Sequence, residues 1–570
     1  MDENGPSGRN IEPKPNGNLE NGVEPAENDK EESPRQLHGI KWAIAYISML
    51  STTFLFALDN TVVADIQPAI LEDFGEIELL PWIGTGFALG SMCILPWGKA
   101  YGVFDLKVVY LLNVVVFEIG SAVCGAAPNM TAMIIARVVA GIGGSGMYSG
   151  TMTYVSMTTS MKERAMYMSG NAVMWGLGSV LGPVVGGAFA ISSATWRWAF
   201  YINLVIGALF APSYLFLLPR IDPRPGKSLR EKLRMIDWIS SVVFLGGCAC
   251  FTMAISFGGA VYAWSSGPEI TLWVMTAVLL IITILLSFFH PGVTKENRLY
   301  PAHFLKRPIL INMQLQIFLS SGFILSMTYY IPLFFQFLRT DGPLDAGVRL
   351  LPFIVSMVVL SLLNGALMPK LAYIGPWHIV GSALAVIGSA LMYTVNEHTS
   401  NANIYGYTVL VGAGGGCYIV AGFAIVQSLV PVHDIPNAVG ALTICKIPAS
   451  TTFSPYLDTN FDYPQTGQDL GMVTFLAVGG ALFQNFALKN VKQALPALSR
   501  TEIKDLIAGT SSHAFKSLSD EDKVRVIPQI ASAMRSVWLL FLAGAVISFI
   551  LSVTLAVSRL FPFVRLSLHA

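Results

Sequence analysis

Three ionisable side chains stand inside apolar stretches of this 570-residue chain: Asp59, Glu118 and Arg137. An aspartate at mid-bilayer costs about 2.5–3.5 kcal/mol on insertion scales, so such a group faces a cavity or a partner. Glu118 and Arg137 lie on consecutive apolar runs, and antiparallel packing of those runs places them at similar depth. Two carboxylates and one guanidinium in the same half of a bundle can take up and release a proton. A low dielectric favours the neutral acid, an adjacent guanidinium favours the carboxylate, and a proton carrier needs that competition. A static ion pair that only orients helices is the competing role for the same residues.

Glycine supplies the second signal. Residues 176–189 read GLGSVLGPVVGGAF, with Gly176, Gly178, Gly182, Pro183, Gly186 and Gly187. Small residues at these spacings let helix backbones approach closely, and Pro183 removes one backbone bond and permits a bend. Such a helix packs tightly and can hinge against a partner. The run GIGGSG (141–146) has the spacing of a dinucleotide-binding loop, but it follows no strand and lies within an apolar run, so that reading is rejected. The eight histidines fall in loops and at the ends of apolar runs, and no cysteine pair has metal-ligand spacing with a histidine nearby. The six cysteines therefore read as small core residues. No nucleophile–base set, metal or cofactor is expected, and the chain is not expected to be an enzyme.

The elements that position these residues follow from composition. The chain is 53% hydrophobic and 12% charged, where a soluble domain is about 25% charged. It has 35 basic and 35 acidic residues, so no bulk excess is left for a polyanion and no nucleic-acid partner is expected. A spanning helix needs about 20 mostly apolar residues. Such runs occur at 41–64, 81–103, 107–126, 131–155, 165–190, 197–218, 237–258, 270–290, 309–335, 347–368, 378–395, 404–429, 468–488 and 536–559. The expected fold class is an all-α polytopic membrane protein with fourteen spans.

Lysine and arginine set the expected direction. The loop after the second span holds Lys99 and Lys107, and the one after the fourth Lys162 and Arg164. The loop after the sixth holds Arg220, Arg224, Lys227, Arg230, Lys232 and Arg234, and the one after the eighth Lys295, Arg298, Lys306 and Arg307. The opposite loops 127–130, 259–269 and 396–403 contain neither residue. Both termini are thus expected in the cytosol. Residues 1–38 are polar with no apolar core, and read as a disordered cytosolic tail. Asn129 opens a glycosylation sequon too close to the membrane to be expected in use.

One stretch breaks the pattern. Residues 446–467, KIPASTTFSPYLDTNFDYPQTG, carry three prolines between membrane-length segments. A long structureless stretch inside a compact bundle argues against an assumption. With it deleted, 441–445 joins 468–471 as one ordinary helix start. Cys-Lys-Ile (445–447) can be encoded with a GTAAG splice donor and Thr459-Asn460 as ACTAAC. The expectation is a translated, unspliced intron, with a genuine extra loop as the alternative.

The motifs together resemble a known family. LDNTVVADIQPAI (58–70) looks like the first-helix signature of proton-coupled drug efflux proteins of the major facilitator superfamily. GLGSVLGPVVGGAF resembles its fifth-helix antiporter motif. ARVVAGIGGSG (136–146) is similar to its fourth-helix motif, with Arg137 in the basic position. WRWAFYINLVIGA (196–208) looks like the next segment of the fourteen-span drug:proton antiporter branch, and residues 98–129 resemble fungal members of it. The loop motif after the second span departs from the pattern. Tyr101 stands where the family has an aspartate, leaving Gly98, Lys99, Asp105 and Lys107, with Asp105 as a substitute acid.

The resemblance implies two six-helix halves, 39–218 and 301–560, with a basic loop and two linker spans at 219–300. The lysine and arginine orientation also places an outer loop at 489–535 and a cytosolic tail at 561–570. Substrate in such folds sits near the midplane between halves. Expected cavity residues are Asn312, Gln314, Gln316, Tyr329, Tyr330 and Gln336, each with helix–helix hydrogen bonding as the alternative role. The expected function is proton-coupled efflux of small hydrophobic molecules such as a fungal secondary metabolite, mycotoxin or antifungal drug. Asp59 would be the proton carrier, tuned by Arg137 and relayed by Glu118. The alternative is a siderophore or basic amino-acid carrier on the same fold. The expected partners are the bilayer, protons and the hydrophobic substrate; the expected state is a monomer in the plasma membrane, with the vacuolar membrane as alternative.

Overall fold

The computed structural model describes residues 37–75, 79, 81–190, 192–259, 262–289, 292–294, 308–339, 341–371, 375–428, 468–499, 502–503, 506–507, 515 and 517–557. The tails at 1–36 and 558–570 and the suspect stretch 446–467 lie outside the described residues.

Among the described residues the architecture is all helix. The helices are α1 (Gly39–Phe74), α2 (Pro81–Ser91), α3 (Ile94–Tyr101), α4 (Leu106–Ala126), α5 (Met130–Thr158) and α6 (Met161–Ala190). Then come α7 (Trp198–Phe216), short α8 (Leu229–Arg234), α9 (Trp238–Phe257) and α10 (Gly267–Phe289). The rest are α11 (Pro308–Arg339), α12 (Pro343–Val348), α13 (Leu351–Leu371), α14 (Gly375–Tyr393), α15 (Asn401–Ser428), α16 (Gln468–Ala494) and α17 (Asp520–Val557). Among the described residues, twelve helices are long and apolar enough to cross a membrane. The pair α2–α3 and the helix α15 fall on the other two of the fourteen expected spans, so between twelve and fourteen crossings fit the chain.

Several helices differ from the apolar runs that signal them. The second run, 81–103, is broken at Met92–Cys93 into α2 and α3. Pro96 has no N–H to offer the Met92 carbonyl four residues back, and the turn tightens, with Met92 N bonding Leu89 O at 3.2 Å and Cys93 N bonding Gly90 O at 3.1 Å. Helix α1 runs past its apolar part to Phe74 and stops at Gly75, whose φ of 70° is left-handed. The extension is tied down by Asp73, which accepts from Trp196 Nε1 at 2.8 Å. Helix α17 starts at Asp520, well before its apolar run, with three acidic residues in the first turn where the helix dipole favours them.

Helices α1–α7 pack among themselves, and so do α11–α17. The two groups meet mainly where α6 lies against α12, α13 and α15. Helix α9 packs on α2 of the first group and α16 of the second, with α10 against α9 at the periphery. Glycine sets the closest approaches. A Cβ at Gly178 would stand 2.7 Å from Ala57 Cβ, at Gly182 it would overlap Thr61 Oγ1, and at Gly186 it would stand 2.7 Å from Val62 O. These three residues, one turn apart, form a stripe that lets α6 ride directly on α1. Gly176 turns instead to Ile354 and Val358 of α13, at 3.0 and 3.1 Å, while Gly187 has open space around it. Pro183 is buried inside α6 beside Gly347 of α12. The motif thus divides its work: one stripe faces the helix carrying Asp59, while Gly176 and Pro183 face the other half.

Candidate functional site

Asp59 lies in the middle of α1, and the apolar residues around it leave it no water: Asp59 and Arg137 are each 1% exposed. Arg137 of α5 forms an ion pair with Asp59 Oδ2 through Nη1. Its Nη2 donates to the Asp59 backbone carbonyl at 3.3 Å. On its other side Nε donates to the Ile83 carbonyl of α2 at 3.3 Å, and its Cζ sits 4.2 Å above the Phe87 ring, also on α2. A cation over an aromatic face is attracted by the ring quadrupole. Arg137 therefore bridges two helices, holding α1 through charge and α2 through a carbonyl and a ring.

Asp59 Oδ1 accepts from Asn203 Nδ2 of α7 at 3.0 Å, and the same amide donates to Ser121 Oγ of α4 at 3.1 Å. The carboxylate thus has one oxygen on a cation and one on an amide. Asn203 Oδ1 has no hydrogen-bond partner among the described residues. Five helices supply this site, α2 through Ile83 and Phe87, and its members sit at matching heights. At 1.5 Å per residue, Arg137, Glu118, Ser121 and Asn203 lie roughly 8–12 Å from the helix ends on the same side. The expected shared depth of Glu118 and Arg137 follows from the antiparallel contact of α4 and α5.

Glu118 is near this cluster but not bonded into it. Both carboxyl oxygens are buried and have no hydrogen-bond partner among the described residues. A Cβ at Gly207 of α7 would overlap Oε1, so the carboxyl group presses one oxygen against that glycine. A polar group buried without a partner is costly to keep.

Hydroxyl groups continue from the cluster toward the side on which α1 begins. Ser51 Oγ and Tyr214 OH are 2.7 Å apart. Thr52 Oγ1 lies 2.8 Å from Tyr110 OH and 3.1 Å from Thr151 Oγ1. Beside the ion pair is an aromatic group on four helices. Phe56, one turn before Asp59, has its ring centroid 5.6 Å from Phe87, 5.8 Å from Tyr148 and 5.5 Å from Trp175. Phe87 thus touches both the aromatic group and the guanidinium.

The other expected residues are spread more widely. Gly98 and Lys99 are buried in α3, Asp105 caps α4 by accepting from Lys107 N at 2.8 Å, and Tyr101 donates to Gly146 O at 2.9 Å. In α11, Gln316 Oε1 accepts from Ser552 Oγ at 3.0 Å, and His378 Nδ1 lies 3.0 Å from the same oxygen. Gln316 also donates to Asn312 Oδ1, and Asn312 Nδ2 donates to Leu551 O at 3.2 Å. These two are therefore bonded between helices. Gln314 is buried, Tyr330 donates to Leu476 O at 3.3 Å, Gln336 is half-buried and Tyr329 is 45% exposed. Sequence reasoning missed Asn203, Ser121 and Phe87. Asn203 had a signal, being an amide alone in an apolar run; a phenylalanine in a membrane run carries none. Among the described residues no group of histidine, cysteine and carboxylate side chains could hold a metal ion.

Comparison with known proteins gives the geometry a context. The family model described as Major Facilitator Superfamily matches residues 49–446. A protein named Efflux pump DEP3 from Fusarium langsethiae is 62% identical over 522 residues, covering 92% of this chain and 91% of its own. A protein of the same name from Alternaria brassicicola is 61% identical over 529 residues, covering 93% and 90%. The solved structure of the proton:xylose symporter XylE superposes with a TM-score of 0.53 at 15% identity, covering 90% of this chain and 95% of that one.

Proposed function

The chain belongs to the major facilitator superfamily, and we propose that it is a proton-coupled exporter of small hydrophobic molecules, exchanging an inward proton for an outward substrate. The observation that carries this reading is the sealed Asp59–Arg137 pair with its two-sided arginine.

The pair is intact only while Asp59 is a carboxylate. Protonation removes the negative charge and with it the ion pair, leaving α1 and α5 joined by the weaker Arg137–Asp59 carbonyl and Thr52–Thr151 hydrogen bonds. Arg137 keeps the Ile83 carbonyl and the Phe87 ring, so it stays with α2 while its hold on α1 weakens. Helix α1 rides on α6 through Gly178, Gly182 and Gly186, and α6 forms the main contact with the second half. A proton on Asp59 is thereby converted into a changed seat of one half on the other. The 1% exposure of both groups means that loading and unloading take place in conformations that open this seam to water. Glu118, against Gly207, supplies a second protonatable oxygen pair beside the first.

Two features support a hydrophobic cargo. The relatives compared above carry the name efflux pump, and the aromatic group Phe56, Phe87, Tyr148 and Trp175 straddles the same seam. A fungal secondary metabolite or toxin is the class such a surface suits. The reading is tested with purified protein in vesicles loaded with rhodamine 6G. An imposed inward proton gradient should speed dye exit, and collapsing the gradient with a protonophore should abolish that gain. Exit insensitive to the gradient would remove proton coupling from the proposal.

A further inference from the structure

Residues 217–237 join α7 to α9, two membrane-length helices, and so lie at the membrane boundary. The segment carries Arg220, Arg224, Lys227, Arg230, Lys232 and Arg234 against Asp222, Glu231 and Asp237, a net of +3 in a chain of zero net charge. Its acids are already committed. Asp222 accepts two bonds from Lys232 Nζ, at 2.7 and 2.6 Å. Glu231 closes a capping box with Ser228, and Asp237 caps α9 by accepting from Ser240 N at 3.0 Å. Arg220, Arg224, Arg230 and Arg234 make no ion pair among the described residues.

The same segment shows an apolar face. Leu229 and Leu233, one turn apart on α8, are 67% and 42% exposed, and Trp238 is 58% exposed. Trp238 Nε1 donates to Leu233 O at 3.1 Å, which fixes the indole beside the short helix. This face continues onto the outward sides of α7 and α9 at Phe216 and Ile239. The segment is also held to the body. Leu106 N donates to Ile221 O at 2.9 Å, Tyr154 OH to Pro219 O at 3.1 Å, and Met235 and Ile236 pack on Val103 and Phe104.

We propose that residues 217–237 form a docking strap for anionic phospholipid headgroups. Leu229, Leu233 and Trp238 rest at the boundary of the acyl chains, and Arg220, Arg224, Arg230 and Arg234 hold the phosphate and carboxylate of the headgroups. Charge complementarity selects a negatively charged lipid, and continuity with the lipid-facing sides of α7 and α9 selects a membrane over a soluble partner. A basic juxtamembrane cluster attracts anionic leaflets in this way, more weakly as salt rises. The strap seats on the α3–α4 turn and the end of α5, so a lipid bound there steadies that end of the first half. This inference needs only the membrane crossing of α7 and α9, and it stands whether or not transport is proton-driven.

The test uses the full chain in neutral detergent, titrated with phosphatidylserine or phosphatidylcholine and read by native mass spectrometry as retained lipid. Phosphatidylserine should be retained preferentially, less so at high salt, while soluble glycerophosphoserine should not bind. The variant Arg220→Gln/Arg224→Gln/Arg230→Gln/Arg234→Gln should lose phosphatidylserine affinity by about tenfold or more. The control Lys523→Gln/Arg525→Gln, at the start of α17 and outside the segment, should retain it. If the fourfold variant does not fold, exposed Arg230→Gln alone should lower retention measurably. Equal retention of both lipids, equal binding by variant and native protein, or occupancy of the strap by a second copy of the chain would each overturn the proposal.

Discussion

Asp59→Asn separates a structural ion pair from a proton carrier when it is combined with Arg137→Gln. In the single variant the guanidinium stays at 1% exposure with the Ile83 carbonyl and the Phe87 ring but no counter-ion. Leaving one member of a buried pair uncompensated costs about 3–5 kcal/mol. Asparagine can still offer one oxygen to Arg137, which places the expected loss near the lower end, about 3 kcal/mol. That corresponds to roughly a hundredfold change in an equilibrium constant. The double variant has no charge left in the site, so most of the loss should return, to within about 1–2 kcal/mol of the native protein. Stability is read as the inactivation half-life of the detergent-solubilised protein on heating, and function as gradient-driven dye exit from vesicles. Both variants should lack gradient-driven exit, and only the double should regain stability. A single variant as stable as the native protein, or a double variant that transports, would refute the reasoning.

Four further outcomes follow from the same contacts. Gly182→Ala forces a methyl into Thr61 and should destabilise by about 1–3 kcal/mol, whereas Gly187→Ala, with open space around it, should leave stability and flux unchanged; both are read by the same half-life and flux assays. Glu118→Gln should fold normally, since neither oxygen is hydrogen-bonded, but should slow dye exit several-fold; an unaltered rate would take Glu118 out of the proton route. Burial pulls the Asp222 carboxyl up, but the Lys232 hydrogen bond, the Arg224 backbone N–H and the Lys232 charge together hold it below the usual range. Its contribution is therefore complete above the ordinary carboxylate range and lost as pH falls through the lowered value, so amide hydrogen exchange in 217–237, corrected for its intrinsic pH dependence, should quicken as pH falls through that value, a change absent from Asp222→Asn. Sequencing of the mature transcript should find the codons for 446–467 missing; their retention there would establish a genuine insertion.

The fold and part of the site were legible before any coordinates, for reasons that differ by residue. Asp59 and Arg137 announce themselves because a charge in a membrane-length apolar run demands a partner, and the antiparallel order of α4 and α5 gives the depth. The stripe Gly178–Gly182–Gly186 was visible as spacing, but spacing did not say that it faces α1, nor that Gly176 alone turns to α13. Membrane-length arithmetic found the apolar runs but not the helix ends: α1 and α17 extend beyond them because caps and polar contacts continue a helix where hydropathy stops. Pro96 carried a signal for the α2–α3 break that the unbroken run 81–103 did not register. Asn312 and Gln316 looked like cavity polar groups because residue type alone does not tell a ligand contact from the bond network with Ser552 and His378. Phe87 was unreadable, since its part depends on which cation lies over its face.

The central claim is that Asp59 exchanges a proton during the transport cycle. Infrared difference spectroscopy of the protein in lipid films, stepped between neutral and acid pH, observes this most directly. The account predicts a carboxylic C=O band that rises as the carboxylate band falls, vanishes in Asp59→Asn and survives in Glu118→Gln. A spectrum in which Asp59→Asn retains every acid-induced carboxyl band would contradict it.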